Sequence, residues 1–306
     1  MAEDYISLLK QILAARSLSQ TDLAKRLGVT FAALNRWLNG HASPHPRRIG
    51  AIQRLHRELV GFPAITNEQL KAIVWKADRF KKRGLWNWIA NHRALQDKLL
   101  LEHTYNSTSI EGTTFNKKET EAVIFDNSII PEKSLEEHLE VTHHAAVLRD
   151  IFQKKYQGPV TEEFIKTLHR HLMQGLREDA GSYSKHHRAI RGLDIALTHP
   201  KDIPEEMANL IRAWKKSTRK TIKEIGIFHV HFELIHPFGG GNGRIGRLLM
   251  TLQCLERDYP PVVIENARRA EYYDVLEYAQ RKSAGPFISF LVDEMSRTTK
   301  LLQKYF

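Results

Sequence analysis

The chain has 306 residues, of which 42% are hydrophobic, and a formal net charge of +11 at neutral pH. This length suggests about two domains and allows a sizeable core. No apolar run approaches the roughly 18 residues of a membrane span, and the acidic start does not resemble a secretory signal peptide.

The cysteine content and the charge indicate a compartment and a class of partner. A single cysteine, Cys254, excludes intramolecular disulfides, so we expect a reducing, cytoplasmic compartment, with association with DNA or export to a host cell left open. The net positive charge favours an anionic partner such as a nucleotide or a nucleic acid, and no membrane partner is expected.

The first 62 residues have the pattern of a small helical domain. Apolar positions in residues 4–16 follow a helical spacing. Ser19 then caps a helix that ends at Gly28, and Thr30 caps a second helix from Phe31 to Leu38. Two short helices joined by a glycine turn form a helix-turn-helix. Residues 18–29, Leu-Ser-Gln-x-x-Leu-Ala-x-x-Leu-Gly-Val, resemble the Xre or lambda-repressor-like DNA-binding family, and a further helix over residues 48–60 would complete the domain.

Polar residues of the two motif helices are candidate DNA contacts. In a helix-turn-helix, the second helix presents its N-terminal residues to base edges in the major groove. Thr30, Asn35 and Arg36 are the candidates there, since asparagine suits adenine and arginine suits guanine. Gln20, at the start of the first helix, is a candidate phosphate or base contact. We therefore expect DNA as a partner, and the alternative is a domain that mediates protein contacts.

Residues 63–306 are predicted to form the second domain. Within residues 107–112, Ser-Thr-Ser-Ile-Glu-Gly, Glu111 is a carboxylate at a helix end before a glycine stop. Residues 117–180 are mostly helical, and their histidines lack the ligand spacing of a metal site. Residues 181–192 combine a short apolar alternation with a tight turn, which predicts a small β-hairpin.

Residues 236–247, His-Pro-Phe-Gly-Gly-Gly-Asn-Gly-Arg-Ile-Gly-Arg, are the most informative stretch of the chain. Glycines at a turn that opens a helix let backbone N–H groups crowd around an anion, and the helix dipole adds positive charge there. Asn242 can donate to the same anion, and Arg244 and Arg247 share one helix face that could clamp phosphate oxygens. His236 lies at the rim. A phosphate cradle beside a base is typical of phosphoryl or nucleotidyl transfer to a hydroxyl.

The same twelve residues resemble the signature of the Fic family (filamentation induced by cAMP), His-Pro-Phe-x-Asp/Glu-Gly-Asn-Gly-Arg-x-x-Arg, at eight of its nine specified positions. The resemblance implies an all-α core with a small β-hairpin flap. It also implies protein AMPylation, in which a Ser, Thr or Tyr hydroxyl of a target protein attacks the α-phosphate of ATP. Its site residues here would be the base His236 and a nucleotide-binding set of Gly241, Asn242, Gly243, Arg244, Arg247 and Tyr273.

The family's inhibitory pattern, Ser/Thr-x-x-x-Glu-Gly/Asn, matches residues 107–112. By resemblance, Glu111 would pair with Arg247 and occupy the position of the γ-phosphate. The Fic domain would therefore carry an inhibitory helix on its N-terminal side. The protein itself is a candidate acceptor of AMP, and a homodimer is left open.

The one mismatch is Gly240, where the family has the acid that holds Mg²⁺. Without that carboxylate, we expect Mg²⁺ to be held weakly, through the phosphates of ATP. Three alternatives stay open. The enzyme could remove AMP from a modified protein, with Glu111 positioning water. The chain could be a helix-turn-helix transcription regulator with a weakly active core. Finally, DNA docking could bring a working enzyme to DNA-bound targets.

Overall fold

A computed structural model describes residues 5–61, 68, 71, 84–156, 158–190, 195–218 and 220–305. The chain divides into two compact units, Met1–Pro63 and Ala64–Phe306, and each is treated by itself below. The domain boundary predicted between residues 62 and 63 lies outside the described residues and stays a prediction. Among the described helices, none is long and apolar enough to cross a membrane.

The first unit holds helices α1 (Tyr5–Arg16), α2 (Gln20–Leu27), α3 (Phe31–Leu38) and α4 (Pro46–Leu59). The hydroxyls of Ser19 and Thr30 accept the capping hydrogen bonds of α2 and α3, and Gly28 ends α2 with a left-handed φ of 62°. The predicted helix-turn-helix is therefore confirmed. The four helices enclose one apolar core of fully buried side chains, among them Leu9, Ile12, Leu23, Leu34 and Ile52.

The fourth helix begins two residues earlier than the sequence suggested. Pro46 stands in its first turn, and the ring of His45 caps it by accepting a hydrogen bond from the Arg47 backbone N–H. A proline is tolerated there because the first N–H groups of a helix have no partner within it. Pro46 therefore opens the helix, two residues before the start predicted at residue 48.

The regular secondary structure described in the second unit is all helical, and it includes two 3₁₀ turns, Pro200–Asp202 and Asn266–Arg268. In chain order its α-helices are α5 (Leu85–Asn91), α6 (Arg93–Glu111), α7 (Lys117–Phe125), α8 (Leu135–Phe152), α9 (Glu162–Met173), α10 (Ile203–Lys216), α11 (Ile222–Ile235), α12 (Asn242–Leu255), α13 (Arg269–Arg281) and α14 (Gly285–Leu302).

Helix α12 is the centre of this unit. All of its residues except Gly243 are buried, and it contacts α6, α8, α9 and α11. Helix α11 leads into it and is closed at its start by a capping box between Thr221 and Glu224. The loop between α11 and α12, residues 236–241, therefore projects from two packed helices, and that packing fixes its position. The predicted all-α class is confirmed.

The predicted β-hairpin is not formed in residues 181–190, which contain no strand. The rest of that segment, residues 191–194, lies outside the described residues. The described part docks on the α11–α12 loop instead. The Ser184 backbone N–H donates to the Pro237 carbonyl (2.9 Å), and Arg188 donates to the carbonyls of Ile235 (3.1 Å), His236 (2.8 Å) and Thr198 (2.7 Å). Side-chain and loop contacts therefore hold the segment where a strand ladder was expected.

Candidate active site

The loop between α11 and α12 is a closed, preformed turn. His236 ends α11 in the left-handed conformation (φ 48°), and Gly241 starts α12 with φ 75°. The side chain of Asn242 closes the turn, since its Oδ1 accepts from the Phe238 N–H (2.9 Å) and its Nδ2 donates to the Phe238 carbonyl (2.8 Å). The sequence suggested that Asn242 donates to an anion. Its amide is committed to the loop, which leaves the backbone N–H groups of the first turn of α12 as the candidate anion donors.

A buried histidine of α9 holds the same loop from the other side. His169 accepts a hydrogen bond from the Gly181 N–H at Nδ1 (2.8 Å), so its Nε2 carries the proton and donates to the Gly240 carbonyl (2.9 Å). Its ring stacks on Phe238 at a centroid distance of 3.7 Å. Burial lowers the pKa of His169 to about 4, which keeps the ring neutral. His169 therefore positions the loop and is no metal ligand.

His236 faces a buried carboxylate one turn earlier in α11. The Nδ1 atom of His236 lies 3.7 Å from Oε2 of Glu233, which is too long for a hydrogen bond but close enough for a strong charge interaction. Burial alone would raise the pKa of Glu233, but contact with His236, His229 and Arg247 lowers it below its usual value, so the carboxylate is charged. A buried, charged carboxylate therefore lies beside the imidazole of His236.

Arg247 is buried beneath the first turn of α12, with 2% of its side chain exposed. Its Nε donates to the Ser107 hydroxyl (2.9 Å), and its Nη2 donates to the Ser107 carbonyl (2.9 Å). The remaining nitrogen, Nη1, lies 3.0 Å from where a Cβ on Gly243 would stand, and it has no hydrogen-bond partner among the described residues. A buried guanidinium donor is thus left unpaired beside the helix start.

Glu111 reaches the same place from the end of α6. Its Oε1 accepts from Arg247 Nη2 (2.6 Å), and a Cβ on Gly243 would collide with that oxygen. The carboxylate therefore lies against the backbone at the start of α12, where an anion is favoured. The Glu111–Arg247 ion pair gives Arg247 a partner that a phosphate group could replace. Ser107, which orients Arg247, is the first residue of the Ser-x-x-x-Glu pattern.

Arg244 does not share a target with Arg247. Its Nη1 lies 2.7 Å from Oε1 of Glu140 on α8, and the other oxygen of Glu140 accepts from the Thr113 hydroxyl (3.1 Å). Glu140 thus links the start of α12 to the turn that follows α6. The two arginines were expected to clamp one anion together, but in this structure each is paired with a different acid.

Tyr273 of α13 lies near the Arg247–Glu111 pair. Burial first, and then the Glu111 carboxylate, raises its pKa. The guanidinium carbon of Arg269 lies 5.4 Å from its ring centroid, and that of Arg247 lies 5.9 Å from the neighbouring Tyr272 ring. Tyr273 therefore lies beside Arg269 and within electrostatic range of the Glu111–Arg247 pair.

The loop does not offer Mg²⁺ a binding site. Gly240 provides no side chain, and the charged group beside it is the guanidinium of Arg177, whose Nη1 lies 3.6 Å from where a Cβ on Gly240 would stand. In the part of the chain that the structure describes, no three His, Cys, Asp or Glu side chains form a group that could hold a metal ion. Magnesium takes oxygen ligands, and the carboxylate beside Gly239, that of Asp179, is already paired with Arg177, so this donor set does not fit the ion.

The candidate DNA contacts lie together in the first unit. Gln20 and Asn35 meet through a hydrogen bond from Asn35 Nδ2 to Gln20 Oε1 (3.3 Å), while Arg36 is exposed. The hydroxyl of Thr30 is used to cap α3. Phe31, which sequence reasoning did not single out, is 52% exposed at the start of α3. Helix α3 therefore exposes both an apolar side chain, Phe31, and a charged one, Arg36.

Comparison with known proteins places the site in a family context. The sequence model of the Fic/DOC family matches residues 159–254, and that of a helix-turn-helix family matches residues 9–56. A protein adenylyltransferase Fic from Aedes aegypti is 29% identical over 212 residues, which cover 66% of this chain and 41% of that protein. The protein adenylyltransferase Fic of Drosophila melanogaster is 27% identical over 218 residues, which cover 68% of this chain and 43% of that protein. The matches thus span less than half the length of these curated relatives.

Solved structures show the same fold. A Fic-domain-containing signaling protein from Bacteroides thetaiotaomicron superposes with a TM-score of 0.64 at 25% identity, covering 76% of this chain and 95% of that one. Fic-1 from C. elegans superposes with a TM-score of 0.67 at 20% identity, covering 96% and 89%.

Proposed function

From the premise that the chain carries a Fic/DOC domain and an N-terminal helix-turn-helix domain, we propose that it transfers AMP from ATP to a hydroxyl of a protein and is inhibited by its own Glu111. The adenylyltransferase relatives support this reaction class. The acceptor would be a Ser, Thr or Tyr side chain of a target protein. The protein itself is a further candidate acceptor, and a homodimer would bring the hydroxyls of one copy to the other.

One observation carries the proposal: a carboxylate already lies at the phosphate-binding start of α12. Glu111 Oε1 contacts Arg247 beside Gly243, and Arg247 Nη1 is buried without a partner among the described residues. An unpaired buried guanidinium donor is costly, and a phosphate oxygen is the ligand that suits it. The position is therefore built for an anion, which Glu111 mimics when no nucleotide is bound.

The residues divide the chemistry between them. The target hydroxyl attacks the α-phosphorus of ATP, the bond from that phosphorus to the bridging oxygen breaks, and pyrophosphate leaves. His236 takes the hydroxyl proton, a role typically contributing about 10² to 10⁴ in rate. The N–H groups of Gly241–Gly243 hold the phosphates where charge develops. Arg247 binds the γ-phosphate once Glu111 has moved, and Tyr273 contacts the adenine. Any Mg²⁺ would be held by the phosphates of ATP rather than by this chain.

The test compares ATP labelled on the α-phosphate with ATP labelled on the γ-phosphate. Glu111→Gly protein, with and without DNA, should incorporate the α-label into protein and none of the γ-label. Adding His236→Ala should abolish the incorporation while the melting temperature stays within a few degrees. Incorporation of the γ-label would indicate phosphorylation instead, and incorporation that survives His236→Ala would exclude that residue as the base.

Removal of AMP from a modified protein is the second candidate function. The observation that favours it is the Glu111 carboxylate at the edge of the site, 28% exposed, where it could position a water molecule. The lack of a metal ligand at Gly240 also disfavours synthesis relative to hydrolysis. Wild-type protein that strips AMP from a modified substrate, and loses this ability in Glu111→Gly, would put hydrolysis first.

The helix-turn-helix unit supports a role on DNA. Arg36, Asn35 and Gln20 would contact the major groove and its phosphates, with Thr30 ordering the start of α3. DNA docking would then bring the enzyme to targets that are themselves bound to DNA. A transcription regulator with a weakly active Fic core is the alternative. The organised surroundings of His236 and Arg247 count against it, because a scaffold needs neither.

A further inference from the structure

The space beside Gly239 and Gly240 is filled by Arg177 and its partner Asp179. A Cβ on Gly239 would collide with Nη2 of Arg177 and would lie 2.9 Å from Oδ2 of Asp179, whereas a Cβ on Gly240 would lie 3.5 Å from Cδ of Arg177 and 3.6 Å from its Nη1. Position 240 could thus accept a side chain, but that side chain would run alongside Arg177. The guanidinium lies where the expected acid at position 240 would reach.

Arg177 is oriented by its neighbours. Asp179 accepts hydrogen bonds from Nε (2.7 Å) and from Nη2 (3.0 Å), which is a bidentate pair that raises the pKa of the arginine. The Nη1 atom, on the Gly240 side, makes no hydrogen bond with the described residues. The Arg177 backbone N–H donates to the Met173 carbonyl at the end of α9 (3.0 Å), and α9 also carries the His169 that binds Gly240. One helix end therefore fixes both the arginine and the loop.

The guanidinium of Arg177 carries the same charge as the carboxylate and metal ion whose place it would take. A carboxylate with Mg²⁺ carries a net single positive charge, and so does a guanidinium on its own. Asp179 compensates this charge in the absence of nucleotide. Both side chains of the pair are about one-third exposed (35% and 37%), and a surface ion pair of that kind contributes little to stability. A phosphate group can therefore replace Asp179 as the partner of the guanidinium with little loss of free energy.

We propose that Arg177 contacts the nucleotide phosphates at this loop and takes the place of the metal ion, so that this chain binds ATP without a divalent cation. Guanidinium groups bind phosphate through bidentate hydrogen bonds and stabilise the negative charge on a phosphoryl group during its transfer. In the transfer reaction, which rests on the function proposed above, Arg177 would stabilise the negative charge that builds up as pyrophosphate leaves. It takes no proton, and the bonds that form and break are unchanged.

A binding experiment tests the contact independently of transfer. Calorimetric titration of Glu111→Gly protein with ATP, in EDTA and in Mg²⁺, should give similar Kd values. Adding Arg177→Gln should weaken binding of metal-free ATP about tenfold, the size of one charge-assisted contact. Asp179→Asn should leave that affinity unchanged or increase it, because it releases the arginine. Arg212→Gln, on an exposed arginine of α10, is the matched control and should have no effect.

A transfer experiment separates this inference from the proposed function. Glu111→Gly protein should keep most of its transfer rate in EDTA. Adding Arg177→Gln to this protein should reduce that rate about tenfold. Adding Gly240→Asp as well should restore the rate only when Mg²⁺ is present. The inference is overturned if Glu111→Gly protein binds metal-free ATP equally well with and without the added Arg177→Gln substitution. It is also overturned if Glu111→Gly protein is inactive in EDTA but active in Mg²⁺. Binding that depends on Arg177 without any AMP transfer would leave the contact standing and refute the proposed function.

Discussion

Removing the Glu111 carboxylate should activate the enzyme. In the structure this carboxylate contacts Arg247 at 2.6 Å and lies on the backbone of Gly243, where the γ-phosphate is expected. A hydrogen bond to a charged group contributes about 1.5–3 kcal/mol, which corresponds to a factor of about 10 to 150 in an equilibrium. Since ATP must displace this contact to bind productively, Glu111→Gly should raise the rate of self-labelling from ATP by about 10- to 100-fold.

The variant should stay folded. Arg247 keeps two hydrogen bonds to Ser107, so it is not left without partners when Glu111 is removed. Breaking a buried ion pair can cost about 3–5 kcal/mol, but the Glu111 side chain is 28% exposed, so water can reach Arg247 and the cost should be lower. Added ATP should raise the melting temperature of the variant more than that of the wild type, because ATP supplies the anion that the variant lacks.

The assay is incorporation of α-labelled ATP at subsaturating concentration, compared between wild type, Glu111→Gly and Glu111→Gln. Glutamine keeps the length of the side chain without its charge, so its rate should lie between the other two. Protein that carries both Glu111→Gly and His236→Ala should incorporate no label. If purified Glu111→Gly labels itself no faster than wild type, then Glu111 is a helix-end residue without an inhibitory role.

Three further perturbations test separate parts of the molecule. Glu233→Gln should slow AMP transfer at saturating ATP by about tenfold or more, because a full charge 3.7 Å from His236 is lost. The Kd for ATP should stay unchanged. A changed Kd with an unchanged maximal rate would contradict this role of Glu233. The pKa of His169, about 4 against an ordinary 6.5, makes the folded state bind fewer protons than the unfolded one, so its contribution of about 3 kcal/mol is present above pH 6.5 and is lost as the pH falls to 4. Urea unfolding of His169→Gln across that range should show a flatter pH dependence than wild type, and parallel curves would refute the assignment. Arg36→Ala or Asn35→Ala should weaken specific DNA binding by about 1–3 kcal/mol in a fluorescence titration at fixed salt, whereas a wild type without salt-dependent DNA affinity would indicate a protein-interaction domain.

The features that the sequence predicted well are those with local signals. Ser19 and Thr30 cap their helices as expected, because a cap needs only a hydroxyl and the next few residues. The pairing of Glu111 with Arg247 spans 136 positions, and it was expected only because two family patterns occur together. No local pattern could have revealed this contact.

The parts that sequence reasoning missed depend on long-range packing. His169 binds the Gly240 carbonyl across 71 positions, and its sequence neighbours suggested only a rejected metal site. Glu140 lies on α8 and pairs with Arg244, and Arg177 lies in the turn after α9. Both are ordinary charged residues in the sequence until α8 and α9 pack beside α12. The sequence did contain one signal for Arg177. Gly240 stands where the family has an acid, and a missing side chain leaves space that another side chain can fill.

Two of the arginine–carboxylate pairs near the loop, Arg247–Glu111 and Arg177–Asp179, differ in a way that determines their roles. Arg247 and Glu111 form a pair in which the arginine is 2% exposed, whereas both members of the Arg177–Asp179 pair are about one-third exposed. Dissolved salt screens exposed charges far more than buried ones. The Arg177–Asp179 pair therefore exchanges its carboxylate for phosphate readily and sets affinity, while the Glu111–Arg247 pair resists exchange and sets the rate. Rising ionic strength should then weaken ATP binding while the activation ratio between Glu111→Gly and wild type stays nearly constant. A ratio that collapsed towards one at high salt would mean that Glu111 inhibits through exposed charge rather than by occupying the phosphate position.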